Sequence, residues 1–158
     1  WKGVQMSDEY RLISIPDTRF YHCNIKTLNL IPNVMAAQQA SEAGCNETVF
    51  VRDGYVTECS HSNISMVKDG VFITHPLDNL ILPGTERKHI IRWCGELGIP
   101  VKERAFTLEE LYTADEILVT STSHPSMRAM ELNQKAVGMK NPELIQKLRD
   151  KYLNEIGK

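Results

Sequence analysis

Two Asp-Gly turns, each set between short runs of β-branched and aromatic residues, do most to limit what this chain can fold into. The first joins residues 47–52 to 55–58 through Asp53-Gly54, and the second joins 63–68 to 71–75 through Asp69-Gly70. Asp-Gly accepts positive φ at both central positions, and that twist suits a two-residue hairpin. The pattern predicts a local meander of hairpins rather than a long-period repeat. Helical spacing flanks it. Between Leu30 and Ala43 the residues Ile31, Val34, Met35, Ala40 and Ala43 recur at helical intervals, with Pro32 in the first turn and Gly44 beyond the end. A second helix is predicted over 85–97, with Ile90, Ile91 and Cys94 inward and Gly98 closing it. Thr107 and Glu110 have the spacing of a capping box for a short helix through Tyr112. Asn141-Pro142 opens a last helix with Leu144, Ile145, Leu148, Tyr152 and Ile156 on one face. Strands are expected at 11–16 (short and buried), 100–106, 116–121 and 126–132, with Asn133-Gln134 as a turn. The sum is a single mixed α/β domain over residues 1–158.

Composition narrows the function classes. Of 158 residues, 42% are hydrophobic and 24% charged, with a net charge of −2 and the two signs interspersed. That balance suits one globular core and offers no surface adapted to nucleic acid or anionic lipid. No apolar run is long enough to span a bilayer and no signal-peptide pattern opens the chain, so a cytoplasmic location is the default expectation. Cys23, Cys45, Cys59 and Cys94 form no CxxC pair and are read as free thiols, with no metal site. The chain begins at Trp1 rather than Met, which is expected of a processed, cut or truncated polypeptide.

Taken singly, the chemically capable residues say little. A lysine is usually a solvated charge, a glutamate at a strand end is usually exposed, and Thr120-Ser121-Thr122-Ser123 could be only a hydroxyl-rich turn. Their order says more. The run D-T-R-F-Y-H-C-N-I-K-T-L-N-L-I-P-N-V (17–34) resembles the lysine segment of class IV aminotransferases, and V-T-E-C-S-H-S-N (56–63) their glutamate segment. N-L-I-L-P-G-T-E-R (79–87) and V-T-S-T-S (119–123) are similar to the two phosphate loops of the same family. All four follow the family's order, and the likeness covers essentially the whole chain.

The resemblance implies a barrel-like sheet with flanking helices that binds pyridoxal 5'-phosphate. It implies that Lys26 is the catalytic Schiff-base lysine, which must lose its proton to attack. A partly desolvated setting would assist that loss, and Cys23, Ile25, Leu28 and Leu30 are expected to provide it. Glu58 is expected to pair with the pyridine nitrogen and keep it protonated. Arg19 joins the polar network of the site, or else simply pairs with Asp17. Leu82 lies against the ring face or in the core. Gly84, Thr85 and Glu86 are expected to receive the phosphate at a helix N-terminus, with Ser121 and Thr122 closing over it; a plain N-cap is the other reading of Thr85. His61 and Ser62 are placed on the substrate side.

The chain departs from the family pattern at Glu86, which puts a carboxyl near a dianion, and at Cys59 and His61, where smaller residues are usual. It departs again at 124–128, where His124-Pro125-Ser126-Met127-Arg128 is expected close to the substrate. The resemblance further implies a small N-terminal domain ahead of this stretch, with residues 1–10 a former interdomain segment. It also implies a homodimer for the full-length protein and little or no activity for this chain alone. The activity implied is transfer of an amino group between a D-amino acid and a 2-oxo acid. Aminodeoxychorismate lyase and branched-chain aminotransferase, on the same fold, stay open, as does a non-catalytic remnant kept for cofactor binding or dimerisation.

Overall fold

A computed structural model describes residues 5–156; Trp1 lies outside the described residues. The chain alternates as β1 (Met6–Pro16), α1 (Ile31–Glu42), β2 (Glu47–Arg52), β3 (Tyr55–Cys59), β4 (Asn63–Lys68), β5 (Val71–Thr74), α2 (Thr85–Glu96), β6 (Val101–Glu103), α3 (Leu108–Thr113), β7 (Glu116–Thr120), β8 (Ser126–Leu132), β9 (Lys135–Ala136) and α4 (Pro142–Glu155). The strands make one nine-stranded sheet in the order β3-β2-β1-β8-β7-β4-β5-β6, with β9 on the free end of β8. Both Asp-Gly turns have positive φ at both positions, as their sequence predicts. β1, α1 and β2 form a crossover unit with parallel strands, while β8 pairs with β1 in parallel and with β7 antiparallel.

The sheet curls. Its β3 edge meets the segment after β6, where the Val56 N–H donates to the Phe106 carbonyl at 2.9 Å and Tyr55 bridges to Thr107. Strand alternation then separates two apolar clusters. Ile64, Met66, Ile73, Ile117 and Val119 point into the curl with Leu12, Val56 and Phe106. Val67, Phe72 and Leu118, from the same strands, point outward onto α2 and α4, against Ile90, Trp93, Leu148 and Tyr152. Residues 116–120 are buried throughout because helices cover one face and the curl closes over the other. The expectation of a mixed α/β fold with a barrel-like sheet and flanking helices therefore holds.

Several local expectations are corrected. β1 begins at Met6, not at residue 11, and is mostly half-buried, with Leu12 its one buried residue. The strand expected at 100–106 shortens to Val101–Glu103. Ile156 is exposed rather than packed, and Ile91 is only half-buried. The largest change concerns α1. Ile31, Val34 and Met35 face solvent, and the helix rests on the sheet through Ala36 and Ala40, where small side chains allow close approach. The capping box is present: Thr107 Oγ1 accepts from the Glu110 N–H while Glu110 Oε2 accepts from the Thr107 N–H. All four cysteines are free thiols. Among the described residues no helix is long and apolar enough to cross a membrane, and no metal-ligating cluster occurs.

Candidate active site

Four stretches converge on one cleft of about 590 Å³: the loop between β1 and α1, the β3–β4 turn, the segment entering α2, and the loop after β7. The residues expected to bind the cofactor and the two placed on the substrate side line it: Arg19, Lys26, Glu58, His61, Ser62, Leu82, Gly84, Thr85, Glu86, Ser121 and Thr122. The register explains part of the convergence. Asn63 pairs with Thr120, which sets the start of β4 beside the end of β7, and the Cys59 N–H donates to the Ser62 carbonyl at 2.8 Å, closing the turn after Glu58.

Glu58 is buried at the cleft wall and held from three sides. Arg19 Nη1 donates to Oε1 at 2.5 Å, while Oε2 accepts from the Leu82 N–H at 2.9 Å and from Asn63 Nδ2 at 3.2 Å. Burial pushes the Glu58 carboxyl up to about 7, against the downward pull of the Arg19 guanidinium and the Leu82 amide. Arg19 also forks onto Asp17 through Nε and Nη2, each at 2.9 Å. Arg52 closes the far side of Asp17 at 3.0 Å. Burial alone would raise the Asp17 carboxyl, but these two guanidiniums hold it below the usual carboxylate range. Gly84 acts differently from the expectation of an open approach to the ligand. A Cβ there would overlap Asn63 Oδ1, so this glycine admits the amide that holds Glu58.

Lys26 sits on a loop held to the rest of the fold at its start. The Cys23 N–H donates to the Asn79 carbonyl at 2.9 Å, and Asn79 Nδ2 returns to the Tyr21 carbonyl at 2.7 Å. Beyond Cys23 the loop is open. Lys26 is exposed, as are Ile25, Leu28 and Leu30, so of the residues expected to desolvate the amine only Cys23 is buried.

At the α2 entrance the N-cap is Gly84, not Thr85, and no side chain caps the first turn. Its amides are thus free to meet an anion. Ser121 Oγ is buried there without a partner among the described residues. Glu86 is buried, its Oε2 has no partner among the described residues, and burial pushes its carboxyl up to about 7. The stretch 124–128, expected beside a substrate, stands off the cleft: Arg128 is buried against Glu116 at 2.8 Å and Asp8 at 3.2 Å.

The sequence reading missed Glu47 and Asn63. Asn63 lies within the glutamate motif yet received no role, and it cross-links Glu58 to the Leu82 carbonyl. Glu47 is fully buried at the start of β2, accepts from the Thr48 and Ser60 N–H groups and the Ser60 and Ser62 hydroxyls, and contacts His61 Nδ1 at 2.8 Å. A carboxylate opening a strand whose middle is Val49-Phe50-Val51 was the available signal.

A family model, amino-transferase class IV, matches residues 6–132. The chain belongs to the class IV aminotransferases. This class IV chain is 42% identical over 147 residues to a D-alanine aminotransferase of Listeria monocytogenes, covering 92% of the chain and 50% of that relative. It is 37% identical over 151 residues to the D-alanine aminotransferase of Bacillus licheniformis, covering 92% and 53%. The chain thus spans about half the length of the curated relatives it matches. Among solved structures, a fold IV transaminase from Curtobacterium pusillum superposes with a TM-score of 0.82 at 24% identity, over 92% of this chain and 52% of that one, which shows the fold. A putative 4-amino-4-deoxychorismate lyase from Legionella pneumophila gives 0.87 at 25% identity, over 97% and 57%. Class IV aminotransferases use pyridoxal 5'-phosphate.

Proposed function

We propose that the cleft binds pyridoxal 5'-phosphate and that the protein moves an amino group between a D-amino acid and a 2-oxo acid. The observation that carries this reading is that the Lys26 amine and the Glu58 carboxylate line one cleft, with Glu58 fixed by Arg19, Asn63 and the Leu82 amide. The residues present fit the cofactor. The uncapped first turn of α2, with Thr85, the unpartnered Ser121 hydroxyl and Thr122, suits a phosphate, and Glu58 suits a protonated ring nitrogen. When bound, pyridoxal phosphate supplies a carbonyl that joins to amines and a ring that draws electrons from them.

Within that frame each residue has a task. Lys26 would hold the cofactor through its amine, and it would take up and return the proton at the substrate α-carbon. Glu58 would pair with the ring nitrogen, Arg19 positions Glu58, and Leu82 would meet the ring while its N–H anchors that carboxylate. His61 and Ser62 stand on the substrate side. The two D-alanine aminotransferase relatives favour a D-amino acid as donor. The free thiols fit a reducing, cytoplasmic setting, and the exposed apolar residues Leu28, Ile31 and Met35 fit a homodimer in the intact protein. The chain alone is expected to turn over slowly, because the Lys26 side of the cleft stands open to water.

Adding pyridoxal phosphate should produce the visible absorbance of lysine-bound cofactor in the wild type and not in Lys26→Ala; an unchanged band in the variant would refute the role of Lys26. The Legionella structural neighbour keeps a lyase reading in play. Pyruvate released without an acceptor oxo acid would favour the lyase, whereas dependence on an acceptor favours the transferase, and fast turnover by this chain in either assay would overturn the expectation of weak activity.

A further inference from the structure

The histidine that follows β5 faces two groups that can only accept. His75 Nδ1 lies 2.9 Å from the Val56 carbonyl, and Nε2 lies 3.0 Å from Asp78 Oδ2. A neutral imidazole has one N–H and one lone pair, so it can serve only one of these partners. Both contacts form when both ring nitrogens carry hydrogen, which makes the ring a cation opposite the Asp78 carboxylate. The His75 side chain is buried while that of Asp78 is 36% exposed, so the pair has its cation inside and its anion at the surface. β3 and β5 are not neighbours in the sheet, and the ring bridges them across the curl. The other charged groups around it are paired. Arg87 of α2 donates to the His75 carbonyl at 2.7 Å and to Glu103 of β6 at 2.6 Å. Arg104, whose N–H donates to the Thr74 carbonyl at 3.0 Å, pairs with Glu110.

Neither His75 nor Asp78 lines the cleft, but the residues just beyond them reach it. Asp78 Oδ1 accepts from the Leu80 N–H at 2.8 Å, which fixes the turn of the 75–82 loop. The Asn79 carbonyl then takes the Cys23 N–H at 2.9 Å, at the start of the Lys26 loop. The Leu80 carbonyl takes Arg19 Nη2 at 3.2 Å, and the Leu82 N–H reaches Glu58 at 2.9 Å. We infer that His75 and Asp78 are positioning residues: the doubly protonated ring pins β3 to the 75–82 loop, and Asp78 fixes that loop where it holds the Lys26 loop, Arg19 and Glu58 together. The role rests on the proposed function, because those three are parts of the proposed cofactor site. Loss of either ring hydrogen sets a lone pair against a carbonyl or carboxylate oxygen and loosens the loop.

The test changes Asp78, whose exposed position spares the core. Asp78→Ala removes the partner of both Nε2 and the Leu80 amide. Amide hydrogen exchange, followed by NMR without cofactor, should then quicken about tenfold at Cys23 and Leu82, while β7 keeps its wild-type rates. Asp78→Asn can still accept from Leu80 and turns an amide donor towards Nε2, so exchange should stay within about twofold of wild type. The ring reports the difference. At about pH 6, below the ordinary titration of imidazole, nitrogen shifts should show hydrogen on both ring nitrogens in the wild type and on Nδ1 alone in Asp78→Asn. Loss of packing alone would not move that proton. Pyridoxal phosphate binding, followed by absorbance, should weaken about fivefold in Asp78→Ala and less than about twofold in Asp78→Asn. The inference is overturned if exchange or cofactor affinity in Asp78→Ala stays within about twofold of wild type. It is also overturned if Asp78→Asn loses as much protection as Asp78→Ala, or if the wild-type ring holds a single hydrogen at that pH. A wild type that binds no pyridoxal phosphate would instead defeat the proposed function, and the exchange rates and ring signals, read without cofactor, would still decide the pair.

Discussion

Two buried carboxyls of the cleft, Glu58 and Glu86, are each raised by burial to about 7, and the proposed ligand asks opposite things of them. Glu58 must be ionised to pair with a protonated ring nitrogen, so affinity should rise as pH climbs through its titration. Glu86 must be neutral beside a phosphate, so affinity should fall as it ionises. The expected dependence of cofactor affinity on pH is a bell centred near 7, from the two values together. Glu86→Gln should remove the alkaline limb and Glu58→Gln the acid limb. Equilibrium dialysis between about pH 5 and 9 measures both; an alkaline limb that survives in Glu86→Gln contradicts the assignment. The stability sign is fixed as well. Each folded value lies above the ordinary 4.5, so the unfolded chain loses these protons first and stability declines as pH rises from there towards 7.

At the scale of the element, α1 shows how an apolar period can mislead. Ile31 and Met35 are exposed while Ala36 and Ala40 carry the contact with the sheet. Ile31→Lys with Met35→Lys should therefore change unfolding free energy by no more than ~0.5 kcal/mol, whereas Ala40→Leu should cost about 1–3 kcal/mol by overpacking. Urea titration of the three proteins decides, and a large loss in the double lysine variant would mean that the helix packs through its larger side chains after all. What was legible in the sequence follows from where the physics is local. The Asp-Gly hairpins and the Thr107–Glu110 box depend on neighbours in the chain and were readable. The outward face of α1, the exposure of Ile25 and Leu28, and the pairing of Arg128 with Glu116 depend on which surfaces meet in space, and no spacing announces them. The cleft was legible as an ordered set of motifs, while Glu47 and Asn63, which hold the motif residues in place, were not.

Across the whole molecule, one sheet serves two cores. Ile117 and Val119 belong to the inner cluster and Leu118 between them to the outer one, so neither cluster can dissolve while β7 stays intact. Unfolding is expected as a single cooperative step, with the fluorescence of Trp93, in the outer cluster, coinciding with far-UV circular dichroism in a Trp1→Phe background. Two separated midpoints would show that the cores melt independently. The same connectedness reaches the cleft through charge. Arg52, Asp17, Arg19 and Glu58 form a buried line of alternating sign that starts beside the Asp53-Gly54 turn and ends at the wall of the cleft. Its four charges cancel, so added electrolyte should scarcely disturb it, yet neutralising its outermost member would leave the remainder one unit negative. Arg52 is thus a remote dial: altering it should retune how firmly Glu58 keeps its proton without touching any surface a ligand meets.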